Sequence, residues 1–125
     1  MISHLSLGVS DLKKATAFYD AALATLGYVR VFSGPVSVGY GPPDGPEGLA
    51  LKLRPADEIG VDHGFHLAFP ARDHAAVDRF HAAALAQGGV DDGPPGLRPD
   101  YGEAYYAAFV VDLNGHRLEV VCQPS

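Results

Sequence analysis

One pattern of residues occurs twice in this chain at a constant spacing, and it limits the possible folds more than any other feature. Each copy opens with His-Leu and continues through an aspartate and a phenylalanine to a glycine, without a gap. The matching residues, each pair 62 positions apart, are His4 and His66, Asp11 and Asp73, Phe18 and Phe80, and Gly27 and Gly89. Such a shared spacing indicates an internal duplication. The chain is therefore predicted to be a single domain, residues 1–125, built from two modules, 1–57 and 63–125.

The first module is predicted to fold as β-α-β-β-β. Residues 2–9 alternate between two kinds of side chain, which is the period of a strand. Ser10 or Asp11 can cap a helix over 13–26, and Gly27 can end it. The three strands that follow are predicted at 28–32, 36–40 and 49–54.

The second module repeats this order. Its strands and helix are predicted at 65–71 (strand), 75–87 (helix), 90–92 (a short strand), 104–112 and 116–122 (strands). Residues 93–102 are rich in proline and glycine and are predicted to form a loop. Residues 113–115, Leu-Asn-Gly, are typical of a hairpin turn.

These elements predict an α+β fold in which two paired β-α-β-β-β modules form a half-open barrel with the helices outside. One face of each strand set is apolar and is expected to be covered by a helix. The other face is mixed and would line the interior of the barrel. Its charged and imidazole side chains are His4, Lys52, His66, Arg117 and Glu119.

Composition excludes several classes of function. The net charge is −6, and no basic stripe is present, so nucleic acid is not an expected partner. The single cysteine, Cys122, is expected in the core and suits a reducing compartment. No basic region leads into an apolar run at the N-terminus, and no apolar run has the length of a membrane span. A cytoplasmic protein without a membrane partner is expected.

Two histidines and one glutamate are predicted to form a metal site. His4 and His66 open equivalent strands, and Glu119 lies on the inward phase of the last strand. Two imidazoles and a carboxylate bind divalent iron, and by the same reasoning manganese or zinc, while leaving coordination positions free for a substrate. An alternative without metal is an ion pair between Lys52 and Glu119, with both histidines hydrogen-bonded.

The same residues resemble the vicinal oxygen chelate superfamily, which includes glyoxalase I, extradiol dioxygenases, fosfomycin-resistance thiol transferases and bleomycin-resistance binding proteins. The resemblance is carried by His-Leu-x-Leu-x-Val-x-Asp-Leu at 4–12, Phe18-Tyr19, Leu26-Gly27 and Asp112-x-x-Gly115-x-x-x-Glu119. It implies a divalent metal (iron, manganese, zinc or nickel) held by His4, His66 and Glu119. It also implies a homodimer, whose modules pair either within one chain or across two.

One position departs from the pattern of glyoxalase I. That enzyme has a fourth ligand, a carboxylate on the last strand of its first module. Alignment of Leu-Lys-Leu at 51–53 with Leu-Glu-Val at 118–120 places Lys52 at this position. The expected function is therefore a metalloenzyme of the lyase, isomerase or dioxygenase type rather than glyoxalase I, acting on a small oxygen-rich molecule. Glu119 and Lys52 are its candidate catalytic residues. The alternative is a binding protein of the bleomycin-resistance type, without turnover.

The loop over 93–102 and the strand after it carry the candidate substrate-binding residues. Arg98 can hold a carboxylate or phosphate through paired hydrogen bonds, and Tyr101 and Tyr105 can present hydroxyl groups. The alternative is a proline-stiffened surface loop with Arg98 in a salt bridge. The remaining histidines, His63, His74, His81 and His116, are not expected in the site.

Overall fold

Two modules with the same order of elements make up the chain. The computed structural model describes residues 1–123, so the last two residues of the second module, 124 and 125, lie outside the described part. The first module contains β1 (Leu5–Val9), α1 (Leu12–Ala24), β2 (Val29–Ser33), β3 (Ser37–Gly41) and β4 (Leu49–Leu53). The second contains β5 (Leu67–Pro70), α2 (His74–Ala86), β6 (Val90–Leu97), β7 (Tyr106–Val111) and β8 (Arg117–Cys122). The predicted α+β class and the predicted pair of β-α-β-β-β modules are confirmed.

Each helix begins and ends where local chemistry predicts. Asp11 caps α1 by accepting the N–H of Lys14 at 3.0 Å, and Asp73 caps α2 by accepting the N–H of Ala76 at 2.8 Å. These bonds satisfy donors that a helix start otherwise leaves free. Gly27 follows α1 with φ +87°, a conformation that favours glycine because it has no Cβ.

Each module forms its own four-stranded sheet. The strand order is β1-β4-β3-β2 in the first sheet and β5-β8-β7-β6 in the second. The first and last strands of each module are parallel neighbours: β1 pairs with β4, and β5 pairs with β8. In each pair the first strand lies at the edge of the sheet and the last strand lies inside it. Therefore β1 and β5 are both edge strands, and the two sheets are not hydrogen-bonded to each other within the described chain.

The core lies between the two sheets, where α1 and α2 pack on one another and on their own sheets. A single apolar cluster joins side chains of both modules, including Phe18, Leu51, Phe80 and Val120. Cys122 is buried in this cluster, as predicted. Because the helices cover one face of each sheet, the opposite faces point away from the core.

The modules are also joined by polar contacts. Asp112, between β7 and β8, accepts a hydrogen bond from the Tyr19 hydroxyl of α1 at 2.5 Å. The His116 imidazole Nε2 lies 2.8 Å from the carbonyl oxygen of Gly8, and the Asn114 amide donates to the Ser10 hydroxyl at 2.9 Å. The predicted hairpin turn of the second module is thereby attached to the first.

The strand β6 differs from the prediction. It extends over Val90–Leu97, whereas the sequence predicts a strand over 90–92 followed by a loop. Pro94 and Pro95 are tolerated because β6 is an edge strand that pairs only with β7, so their missing N–H groups need not serve a second neighbour. The pairing of β6 with β7 shifts register near Gly93 and Gly96, and these shifts accommodate the remaining irregularity of β6.

Replacing Asp91 by asparagine is expected to lower the free energy of unfolding at about pH 7 and to leave it unchanged in strong acid. The hydrogen bond with His81, at 2.9 Å, lowers the pKa of Asp91, and the backbone N–H of Gly93 adds to this. A lowered pKa in the folded state stabilises the fold above the unfolded pKa of about 3.9. That stabilisation is lost as pH falls through the folded pKa. Urea unfolding at about pH 7 and about pH 2 measures it, and an equal effect at both would contradict the assignment.

Among residues 1–123, no helix combines the length and the apolar character needed to cross a membrane.

Candidate metal centre

His66 and Glu119 lie in contact on the exposed face of the second sheet. Glu119 is in the middle of β8, and its strand pairing places it beside Ala68 of β5. His66 lies just before β5, two residues from Ala68, so its side chain points to the same face of the sheet. Its ring therefore reaches Glu119. The His66 Nε2 atom lies 2.9 Å from Oε1 of Glu119. The sequence prediction that these two side chains converge is therefore consistent with the geometry.

Glu119 is a buried carboxylate at this site. Its side chain is 3% exposed, whereas that of His66 is 53% exposed. The Tyr105 hydroxyl donates to its second oxygen, Oε2. Burial, and then this contact with Glu119, raise the pKa of Tyr105 to about 12. Tyr105 therefore keeps its proton at physiological pH and holds the Glu119 carboxylate in a fixed orientation.

The contact opens into a cavity of about 410 Å³. Its lining residues come from the second module and from the chain just before it: His63, Gly64, Phe65, His66, Asp92, Tyr101, Tyr105, Phe109, Arg117 and Glu119. Arg117 is paired with Asp92 at 3.5 Å. The cavity is large enough for a small organic molecule.

The predicted substrate-binding residues fall in different places. Tyr101 and Tyr105 both line the cavity, with their ring centroids 5.3 Å apart. Arg98 lies outside the lining. Its guanidinium donates to the Pro94 carbonyl at 2.6 Å and stands 5.4 Å from the centroid of the Phe109 ring, which is itself part of the cavity wall.

His4 and Lys52 lie on the first sheet, in a separate cavity of about 530 Å³ that also contains Ser6, Phe32, Glu47 and Ala50. A hydrogen bond at 2.9 Å joins His4 Nδ1 and the Ser3 hydroxyl, which leaves Nε2 for another partner. Within a single chain, His66 and Glu119 are therefore in contact, whereas His4 lies in the other cavity. Within residues 1–123, no three His, Cys, Asp or Glu side chains of one chain are grouped as a metal site.

The strand registers correct the matching of Lys52 with Glu119. Glu119 pairs with Ala68, and the residue that duplicates Ala68 is Ser6. Ser6 pairs with Ala50, not with Lys52, which lies two residues further along β4 and pairs with Gly8. The counterpart of Glu119 is therefore Ala50. Because alanine has no donor atom, the first module still lacks a strand carboxylate, although the residue responsible is different.

The alternative ion pair between Lys52 and Glu119 is not formed in the described chain. Both oxygens of Glu119 are engaged by His66 and Tyr105, and Lys52 opens into the other cavity. Of the histidines set aside from the site, His81 and His116 are mostly buried and hydrogen-bonded within the fold. His74 stacks on Tyr106 with ring centroids 3.8 Å apart, whereas His63 lines the cavity that contains His66 and Glu119.

The pair of His66 and Glu119 fits a metal ion. Two ligand atoms about 2.1 Å from an ion, at right angles to one another, lie about 3 Å apart. The observed separation of 2.9 Å between Nε2 and Oε1 is that of a hydrogen bond and is also close to this value. A carboxylate this deeply buried needs a cation or several donors, and the open side of the cavity leaves space for further ligands. His66 and Glu119 would hold the ion, with the remaining ligands supplied from outside this group.

Glu47 is a further charged residue of the cavity that contains His4, and the sequence does not predict it there. It lies in the loop over 42–48, among prolines and glycines, and no motif singles it out. Its carboxylate nevertheless reaches the cavity that contains His4. The signal that would have found it is the pair of small residues on the adjacent strands, Gly39 and Ala50, but this requires knowledge of the strand register.

Comparisons with known proteins identify solved structures that share this fold. A glyoxalase/bleomycin resistance protein from Albidiferax ferrireducens T118 is similar in structure, with a TM-score of 0.84 and 31% identity over 99% of each chain. A glyoxalase-related enzyme from Fulvimarina pelagi has a TM-score of 0.73 and 23% identity, over 97% of this chain and 87% of that one. A genomically encoded fosfomycin resistance protein from Listeria monocytogenes has a TM-score of 0.73 and 19% identity, over 99% and 93%. The last two show likeness of fold alone.

A search of curated proteins finds no match. The family model of the Glyoxalase/Bleomycin resistance protein/Dioxygenase superfamily matches residues 1–120, which is nearly the whole chain and includes both modules and all three predicted metal ligands. The chain therefore belongs to the glyoxalase/bleomycin resistance protein/dioxygenase superfamily.

Proposed function

We propose that two copies of the chain form a divalent-metal site from His4 of one copy and His66 and Glu119 of the other, and that this site transforms a small oxygen-rich substrate. The observation that carries the proposal is the contact between His66 and the buried Glu119 in the wall of a cavity.

The edges of the two sheets support assembly from two copies. Both β1 and β5 have a neighbour on one side only, and an unpaired strand edge is a ready partner for another chain. All five residues of β2 are exposed, and among them Phe32 is 53% exposed although it is large and apolar. A two-fold homodimer that places the first sheet of one copy beside the second sheet of the other would cover such residues. It would also bring His4 to His66 and Glu119.

The ligand set determines the chemistry available to the site. A divalent ion held by two imidazoles and one carboxylate would polarise adjacent oxygens of the substrate and stabilise the negative charge that develops on them. Tyr105 orients the Glu119 carboxylate, and Tyr101 also lines the cavity. Lys52, which lines the same cavity as His4, would balance negative charge or donate a proton to the product.

Lyase, isomerase and dioxygenase reactions all use such a site, and the metal found in the purified protein separates them. Iron(II) would favour a dioxygenase, because the two-histidine, one-carboxylate set with open positions is the arrangement of non-haem iron oxygenases. Manganese, zinc or nickel would favour lyase or isomerase chemistry. Ala50 stands at the β4 position where glyoxalase I has its fourth ligand, so the first module lacks that strand carboxylate.

Mixing two inactive variants tests the assembly. His4→Ala and His66→Ala copies alone are each expected to lose stoichiometric metal, measured by elemental analysis of protein purified without chelator. In co-expressed mixtures, about half of the dimers are mixed, and each of these regains one intact site. About a quarter of the sites are therefore expected to hold metal, and light scattering should show a dimer.

The control is His74→Ala, because His74 is exposed at the start of α2 and lies outside both cavities. This variant is expected to retain full metal content. If mixing restores no metal although each variant folds, a site shared between copies is excluded. If the wild-type protein is metal-free and still binds a small molecule, the binding-protein alternative replaces the enzyme.

A further inference from the structure

The exposed face of the first sheet has a gap where the second sheet has large side chains. In the second sheet, Glu119 and Phe109 are direct neighbours on β8 and β7. In the first sheet, the equivalent neighbours on β4 and β3 are Ala50 and Gly39. The first sheet thus has a methyl group and a hydrogen atom at the positions where the second sheet has a carboxylate and an aromatic ring.

The carboxylate of Glu47 fills this gap. A Cβ atom at position 39 would overlap Oε1 of Glu47 and would lie 2.6 Å from its Cδ and 2.9 Å from its Cγ. The end of the Glu47 side chain therefore rests directly on the glycine, beside Ala50. Any larger residue at position 39 would displace it, since non-bonded atoms do not approach this closely.

The backbone around Glu47 holds it in this place. The N–H of Gly48 donates to the Tyr40 carbonyl at 2.8 Å, and the N–H of Leu5 donates to the Gly48 carbonyl at 2.9 Å. The residue after Glu47 is thereby fixed between β3 and β1. Because both strands belong to the sheet, the side chain of Glu47 is directed across its exposed face.

Glu47 has the surroundings of a ligand rather than those of a structural ion pair. It is half-buried in the cavity that contains His4 and Lys52. Within residues 1–123, no side-chain hydrogen bond within 3.5 Å and no salt bridge within 4.0 Å engages its carboxylate. His4 has a free Nε2 atom in the same cavity. An imidazole and a carboxylate without a partner, on one wall, are the donors that a divalent ion selects.

We propose that Glu47 supplies a fourth protein ligand to the metal site. This inference rests on the proposed assembly of the site from two copies. The first module would then contribute His4 and Glu47, and the second would contribute His66 and Glu119, so that each module brings one imidazole and one carboxylate. The two carboxylates neutralise a divalent ion. Glu47, in the loop before β4, would supply the carboxylate that is missing at the strand position of Ala50. Gly39 provides the space for it because glycine has no side chain.

Two substitutions test the role of the Glu47 carboxylate independently. Glu47→Ala removes the carboxylate, and Gly39→Ala displaces it while leaving residue 47 intact. Gly39 has no positive φ, and the clash is with the end of a flexible side chain, so Gly39→Ala is expected to fold. We expect each variant to bind Mn²⁺ at least about tenfold more weakly, because even a lost partner of a ligand costs this much. Water-proton relaxation of the Mn²⁺-loaded protein should report one additional bound water.

The double variant and a distant control make the test specific. If Gly39 acts through Glu47, combining Gly39→Ala with Glu47→Ala weakens binding no more than Glu47→Ala alone. Glu58→Ala removes an exposed carboxylate elsewhere and should leave the Mn²⁺ affinity unchanged. If Glu47→Ala binds Mn²⁺ like the wild type while His66→Ala does not, the fourth ligand is excluded and the proposed function stands. If the wild type binds no Mn²⁺, both are overturned.

Discussion

Glu119→Gln is expected to weaken the affinity for a divalent metal by about a hundredfold or more while the protein remains folded. Glutamine has nearly the same shape as glutamate, and its amide oxygen can still accept the hydrogen bond from Tyr105. It lacks the negative charge, however, and neutral amides bind such ions weakly. The loss of the anionic ligand at the buried end of the site should therefore dominate the effect. Titration with Mn²⁺ measures the affinity, and thermal unfolding measures the fold.

The matched control is Glu58→Gln, which neutralises an exposed carboxylate in the short helical turn Ala56–Glu58. Its metal affinity should equal that of the wild type, so that a general effect of net charge is excluded. A Glu119→Gln protein that binds Mn²⁺ as tightly as the wild type would show that Glu119 serves only as a buried partner of His66 and Tyr105.

Asp112→Ala is expected to lower the free energy of unfolding by about 4 kcal/mol. Asp112 is 5% exposed and accepts the Tyr19 hydroxyl at 2.5 Å. It also accepts the N–H groups of Asn114 at 2.9 Å and His116 at 2.8 Å. Burial and the neighbouring Asp112 raise the pKa of Tyr19 well above its usual range, so the hydroxyl stays protonated. The substitution leaves three donors without this acceptor, and the contact that joins α1 to the β7–β8 hairpin is lost.

Tyr19→Phe provides the comparison, because it removes one donor and leaves Asp112 with its two backbone partners. We expect this variant to lose about 1–2 kcal/mol, and the double variant to lose less than the sum of the two. Urea denaturation gives all three values. A loss below about 1 kcal/mol for Asp112→Ala would mean that the apolar core alone holds the two modules together.

The sequence alone predicted the features that depend on neighbours in the chain. The repeat at a spacing of 62 residues predicted two modules of the same type. For the first helix it offered Ser10 or Asp11 as the cap, and Asp11 is the residue that caps it. Strand periodicity placed His66 and Glu119 on one face, because side chains alternate with a period of two along every strand. These predictions needed no knowledge of how one strand lies beside another.

Predictions that depended on strand register were less successful. Ala50 and Glu119, the true counterparts, are 69 residues apart rather than 62, because the second module is longer between its helix and its last strand. Matching by local similarity therefore selected Lys52 in error. Likewise, β6 continues through two prolines because it lies at a sheet edge, and nothing in the local sequence identifies an edge.

The order of elements, the apolar core faces and the residue types of a metal site were thus determined by the sequence, since each follows from local periodicity and side-chain chemistry. The tertiary structure decided which of these residues meet. It joined His66 to Glu119, held His4 on a separate sheet, and placed Glu47 over Gly39. The physical reason is that packing of the two helices against each other sets the relative position of the sheets, and that packing involves residues far apart in the chain.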